Sequence, residues 1–373
     1  MLFVGNDILD TISINEMDSS SKIKNNDFLM FIDSDNNTFK ISKENLLEEV
    51  YQNIFSLYSN IKDLNIKKRF FNPQLGIFMD LNPNGGIEIS QEKMINNLEL
   101  IKKYKIEKLV IQPWVIWDES TKKLTLKNSI ENLKFLINEA TKREIKIACL
   151  KIHFYNINYS NLISSGNIDS FISQYKALIS DFLSYFKEIN IPYVIPFNEC
   201  SVFYKKNSLY IDFVNTVLYA VKDLGFKVGI STMGAKETLE MDDTIKKNVD
   251  DFFVNCYPKI SYKFEETTYR DCINSWDNSY EHKCVQQIKS DFPNKKIIMS
   301  ETGCNDYWVS LCNPGNWKLT GNAKTGGLAP MYMLEGLFRS DMQDYIEEVW
   351  WCYWDSILND NCKNIIERYI GGI

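Results

Sequence analysis

The stretch YVIPFNECSVFYKKNSLYIDFVNTVLYAVKDLGFKVGIS, residues 193–231, reads as strand, helix, strand. Tyr193–Phe197 and Lys227–Ser231 are short and almost continuously apolar, which suits strands covered on both faces. Between them Tyr210, Ile211, Val214, Val217, Leu218, Val221 and Leu224 fall at helical spacing, and Gly225 stands where a helix ends in a left-handed residue. Two buried strands joined by a covering helix make a parallel pair.

The same alternation extends outward in both directions from about residue 68. Further strand candidates are Leu75–Asp80, Lys108–Gln112, Ile145–Leu150, Asp251–Asn255, Lys296–Ser300 and Glu348–Tyr353. Residues 168–186 form a second clear helix, with Ile168, Phe171, Ile172, Tyr175, Leu178, Ile179, Phe182, Leu183 and Phe186 on one face. Eight strands in roughly 300 residues fit a (β/α)8 TIM barrel, whose usual size is ~250 residues. A doubly wound sheet is the competing architecture. It lacks support, because no GxGxxG turn follows the first strand and no GxxxxGK[ST] occurs.

Composition narrows the function classes. The chain has 373 residues, 45% of them hydrophobic, and a net charge of −7, which permits a large core and disfavours nucleic acid or anionic membrane as partner. Nine cysteines without a CxxC pair, and only His153 and His282 beside them, argue against a zinc site and for free, mostly buried thiols. No metal and no cofactor are expected. No window approaches a membrane span, and MLFVGNDILD lacks a secretory leader, so the chain is expected to be made in the cytoplasm.

In a barrel the reactive groups sit where strands end. Those ends carry Gln112-Pro113-Trp114, Lys151-Ile152-His153, Asn198-Glu199, Asn255-Cys256-Tyr257, Ser300-Glu301-Thr302-Gly303 and Trp350-Trp351-Cys352-Tyr353-Trp354-Asp355. Two glutamates and several tryptophans therefore share one rim. A carboxyl pair is what glycosidic hydrolysis requires, one as proton donor and one as nucleophile or base. Aromatic faces suit the apolar face of a sugar ring. A single strand-end glutamate is usually a surface ion pair, but Glu199 and Glu301 each end an apolar strand. Neighbours on a strand face opposite ways, so only one of Trp350 and Trp351 can see the cleft.

With these residues in view, the chain resembles clan A of the retaining glycoside hydrolases, whose barrels end the fourth strand with the acid/base Glu and the seventh with the nucleophile Glu. The segments LKIHFY (150–155), DFFVNCYP (251–258), KIIMSETGC (296–304) and VWWCYWD (349–355) are most similar to family 113, known for β-mannan hydrolysis. The resemblance covers roughly residues 68–373 and implies Glu199 as acid/base and Glu301 as nucleophile. It implies that Asn198 contacts the hydroxyl beside the anomeric carbon, that Tyr257 sits near the nucleophile, and that His153 lines the cleft. Trp114 is placed on the same rim, and Trp351 or Trp354 would floor the subsite of the cleaved sugar. Many clan members carry an arginine near the end of the second strand; Gln112 and Trp114 occupy that region here.

Residues 1–65 differ in character. They are rich in Asn, Asp, Ser and Lys, and suggest a hairpin of Phe28–Asp33 and Thr38–Ile41, then a helix capped by Ser42. The text NNDFLMFIDSDNNTFKISKENLLEEV resembles the N-terminal attachment modules of bacteriophage tail fibres and tailspikes. That resemblance implies docking to tail proteins or self-association through residues 1–65, and a virion-associated enzyme released by host lysis. The expected organisation is thus a small module over 1–65 and a hydrolase barrel over 66–373, acting on a polysaccharide or oligosaccharide. The rival readings are a non-catalytic carbohydrate-binding barrel (a tail adhesin) and a peptidoglycan-cleaving muramidase.

Overall fold

The computed structural model describes residues 28–32, 38–42, 74–83, 86–260, 267–316, 318–321, 323–352 and 354–369. The chain divides into two units, Met1–Phe70 and Phe71–Ile373. In the first, β1 (Phe28–Ile32) and β2 (Thr38–Ser42) pair antiparallel, Phe28 opposite Ser42 and Ile32 opposite Thr38. The connecting turn and the helix expected after Ser42 lie outside the described residues.

The second unit is a closed parallel barrel of eight strands with helices around it. Its strands are β3 (Gln74–Met79), β4 (Lys108–Ile111), β7 (Lys146–Lys151), β9 (Tyr193–Asn198), β10 (Lys227–Thr232), β11 (Phe252–Asn255), β12 (Ile297–Thr302) and β13 (Glu348–Trp351). Each lies beside its predecessor, and β13 closes on β3. All eight coincide with strands expected from the apolar runs. Several helices begin where short polar side chains accept an orphan N–H. Ser129 takes the amide of Asn132, and Thr268 forms a reciprocal capping box with Asp271.

Two apolar layers hold the barrel. The larger packs the outward faces of the strands against the helices. The smaller fills the interior with Phe78, Val110, Ala148, Cys149, Tyr193, Ile195, Phe253, Ile298 and Trp350. Two glycines make room for the largest of these. A Cβ on Gly76 would stand 2.7 Å from Cδ1 of Trp350, and one on Gly229 would stand 2.1 Å from Cε2 of Phe253. Below this layer Lys108 pairs with Glu348 at 2.7 Å, and Tyr193 donates to Asp251 at 2.6 Å.

One element was not anticipated. After β4 the chain leaves the barrel as β5 (Trp114–Asp118) and β6 (Lys123–Leu126), an antiparallel hairpin, and β8 (His153–Phe154) joins β5 in parallel. This sheet carries Trp114 and His153 on facing positions of adjacent strands.

Candidate active site

Glu199 follows β9 directly, with φ +55, a left-handed conformation that costs an ordinary residue free energy and gathers at functional sites. Its amide donates to the Ser231 carbonyl at 2.8 Å, holding the turn against β10. Glu301 sits within β12. Strict alternation would send Ser300 and Glu301 to opposite faces. Instead the register with β11 shifts, pairing Val254 with Met299 and then Asn255 with Glu301. Both side chains consequently reach the barrel interior, an irregularity of the kind that re-aims functional side chains.

The two glutamates are linked through one amide and one ammonium. Asn255 Nδ2 donates to Oε1 of Glu199 at 2.7 Å. Its Oδ1 accepts from Ser300 Oγ at 2.8 Å, Ser231 Oγ at 3.0 Å and Lys151 Nζ at 3.3 Å. Lys151 Nζ also donates to Oε1 of Glu301 at 2.6 Å and to the Ser300 carbonyl at 3.2 Å. Tyr257 Oη donates to Oε2 of Glu301 at 3.1 Å. The environments are unequal. Glu301 is ion-paired, whereas burial, and then the Glu301 charge, push Glu199 up to about 7 from an ordinary 4.5.

On the other side of Glu199, Asn198 Nδ2 donates to Nδ1 of His153 at 3.2 Å. That leaves Asn198 Oδ1 buried and without a partner among the described residues. Burial lowers the His153 pKa, favouring the neutral ring, and the Asn198 N–H makes Nδ1 the acceptor. The Trp114 ring lies 5.7 Å from the His153 ring and stacks on Tyr155 at 4.4 Å, with Lys127 Nζ 5.3 Å above it. Thus Glu199, Glu301 and Tyr257 are linked through Asn255 and Lys151, while Asn198 and His153 form a pair of their own, which Trp114 borders.

The eighth strand corrects one expectation. Trp351 is fully buried in the outer layer and donates its indole N–H to Ser356 Oγ at 3.0 Å, so it cannot floor a sugar subsite. The inward positions of β13 and its extension are Glu348, Trp350 and Cys352, and Trp350 is itself buried in the interior core. Trp354 opens the helix Trp354–Ile357, and its side chain lies outside the described residues.

Sequence reasoning passed over Lys151 and Asn255 as site residues. A lysine ending the apolar run KIACLK, in a chain without the expected arginine, was the available signal. The cation beside Glu301 comes from the third barrel strand, not the second. The nine cysteines are free, seven of them buried. Among the described residues no group of three His, Cys, Asp or Glu is placed to hold a metal ion, and no helix is long and apolar enough to cross a membrane.

The barrel is similar to those of GH113 β-mannanases. A GH113 β-1,4-mannanase superposes with TM-score 0.58 at 13% identity, over 82% of this chain and 100% of its own. The GH113 β-mannanase from Alicyclobacillus acidocaldarius gives TM-score 0.59 at 10% identity, over 81% of this chain and 98% of its own. A β-glucuronidase from Ruminococcus gnavus gives 0.50 at 11% identity, over 75% of this chain and 42% of that longer one. No family model and no curated protein matches the sequence. At such low identity these likenesses establish the fold, and the chemistry rests on the site.

Proposed function

We propose that this protein is a retaining β-glycoside hydrolase acting on a polysaccharide, with Glu199 as acid/base and Glu301 as nucleophile. The observation that carries the reading is the inequality of two carboxyls linked through Asn255 and Lys151: one ion-paired, the other pushed up to about 7. Pairs of titratable groups held apart in this way mark acid and base roles.

The steps follow from the atoms. Because Oε1 of Glu199 accepts from Asn255, its proton rides on Oε2. That proton passes to the glycosidic oxygen as the bond to the anomeric carbon breaks, while the Glu301 carboxylate attacks the same carbon. Glu199, now ionised, takes a proton from water, which displaces Glu301 and restores both groups. A sugar hydroxyl would satisfy the orphaned Oδ1 of Asn198, and Trp114 and His153 would line the neighbouring wall. Retention requires the two carboxyls ~5–5.5 Å apart rather than the ~6.5–9.5 Å of inverting enzymes. No cofactor enters this mechanism.

The GH113 neighbours make β-1,4-mannan the first substrate to test, beside capsule and cell-wall polysaccharides. The resemblance of residues 1–65 to tail attachment modules adds that the enzyme rides on a virion, reaching its glycan after lysis.

Two substitutions test the chemistry. Glu301→Gln should abolish turnover on every substrate while glycan binding persists. Glu199→Gln should retain glycosyl-enzyme formation from substrates with good leaving groups and then stall. Wild-type turnover in the Glu301→Gln protein, or binding without turnover in the wild type, would establish the adhesin reading. Release of muropeptides from cell wall alone would establish the muramidase.

A further inference from the structure

Lys151 is completely buried, yet it carries a charge into the centre of the barrel. A lone buried ammonium is strongly disfavoured unless its charge is paired and its protons are bonded. Here all three protons have acceptors: Glu301 Oε1, the Ser300 carbonyl and Asn255 Oδ1. The Phe78 ring lies 5.2 Å from Nζ on the interior side. Among the described residues it is the only cation ion-paired with Glu301, and none is ion-paired with Glu199.

The ammonium also determines how Asn255 stands. Oδ1 of that amide is surrounded by donors, Lys151 Nζ and the hydroxyls of Ser231 and Ser300. A flipped amide would turn its NH2 group on the ammonium, so Nδ2 must face Glu199. Lys151 therefore touches one glutamate directly and the other through one side chain.

We propose that Lys151 is a positioning residue that holds Glu301 as the ionised member of the pair and orients the Glu199 carboxyl by clamping Asn255. Its own charge acts on Glu199 in the opposite sense, lowering it less than the Glu301 charge raises it. The proposal deepens the reading of these glutamates as the catalytic pair and rests on it. The other titratable groups around this centre are His153, Tyr257, Cys149 and Cys352, with Glu237 behind Glu199. Burial pushes the two thiols up and the imidazole down, so all three are neutral here. Among the described residues Lys151 is thus the one cation placed to discriminate between the carboxyls.

The test is a carbon-13 NMR titration of the full chain labelled at glutamate Cδ, with resonances assigned from Glu199→Gln and Glu301→Gln. In Lys151→Met, which keeps the length of the side chain and removes the charge, the Glu301 midpoint should rise by about 1–3 units. Proton sharing should then make both carboxyl resonances respond at both midpoints. A Glu301 midpoint unmoved in folded Lys151→Met overturns the proposal. A second measurement needs no substitution, should that variant not fold. In the wild type the nitrogen-15 signal of Lys151 Nζ should keep its three protons throughout the titration of Glu199. A neutral amine in that range overturns the proposal equally. Neither readout uses turnover, so failure of the catalytic reading would show separately, in the assays of Glu301→Gln.

Discussion

Asn255 Nδ2 donates to Oε1 of Glu199 at 2.7 Å, so the oxygen free to carry a proton is Oε2. Which oxygen of this carboxyl carries the proton is thereby set by a residue on a different strand. The activity of this site should follow the protonation of that one carboxyl.

The pH dependence has a definite sign. Glu199 is pushed up to about 7, and the proposed mechanism needs it protonated for the first step, so kcat/KM should fall as pH rises through about 7, by about tenfold per unit beyond it. Stability should move the same way. A carboxyl raised above its unfolded value contributes stability that is fully present below about 4.5 and is lost as pH rises to about 7. Urea midpoints measured across that range should decline in the wild type and flatten in Glu199→Gln. A kcat/KM that keeps rising above this window would remove Glu199 as the donor.

Tyr257→Phe deletes the second donor to Glu301, the hydroxyl at 3.1 Å from Oε2. A hydrogen bond to a charged group contributes about 1.5–3 kcal/mol, so kcat should drop at least about tenfold. Glycan affinity, measured by titration calorimetry, should change little. A loss confined to KM would place Tyr257 in binding instead.

Gly229→Ala should destabilise the barrel by about 1–3 kcal/mol through overpacking, since the new methyl would meet the Phe253 ring. Phe253→Leu in the same chain should return part of the loss. Equal urea midpoints for Gly229→Ala and wild type would mean that the interior yields at no cost.

A chain lacking residues 1–65 should remain folded and active, because the barrel owns its core and every residue of the candidate site lies beyond residue 70. If residues 1–65 dock to a virion, as proposed above, this truncated chain should fail to co-sediment with particles that bind the full chain. An insoluble or inactive truncated chain would make the segment part of the hydrolase unit.

The barrel was legible in sequence because its strands are buried on both faces. Val194–Phe197 and Ile297–Met299 are apolar almost without interruption, and the helices between strands announce themselves by period and cap. The hairpin Trp114–Leu126 escaped notice, although WVIWD and KLTL flank a turn, because it belongs to a loop and not to the repeating pattern.

Sequence alone determined the eight-strand order, the rim on which chemistry can sit, and the two glutamates that end apolar strands. Only the tertiary structure decided what these glutamates touch. Alternation along one strand assigns faces. It says nothing of a register shift that turns Ser300 and Glu301 inward together, or of the layer in which Trp351 is buried. Least of all could it reveal Lys151. A lysine at a strand end reads as a solvated charge until seven other strands close around it, and only that closure supplies the acceptors that let an ammonium stay inside.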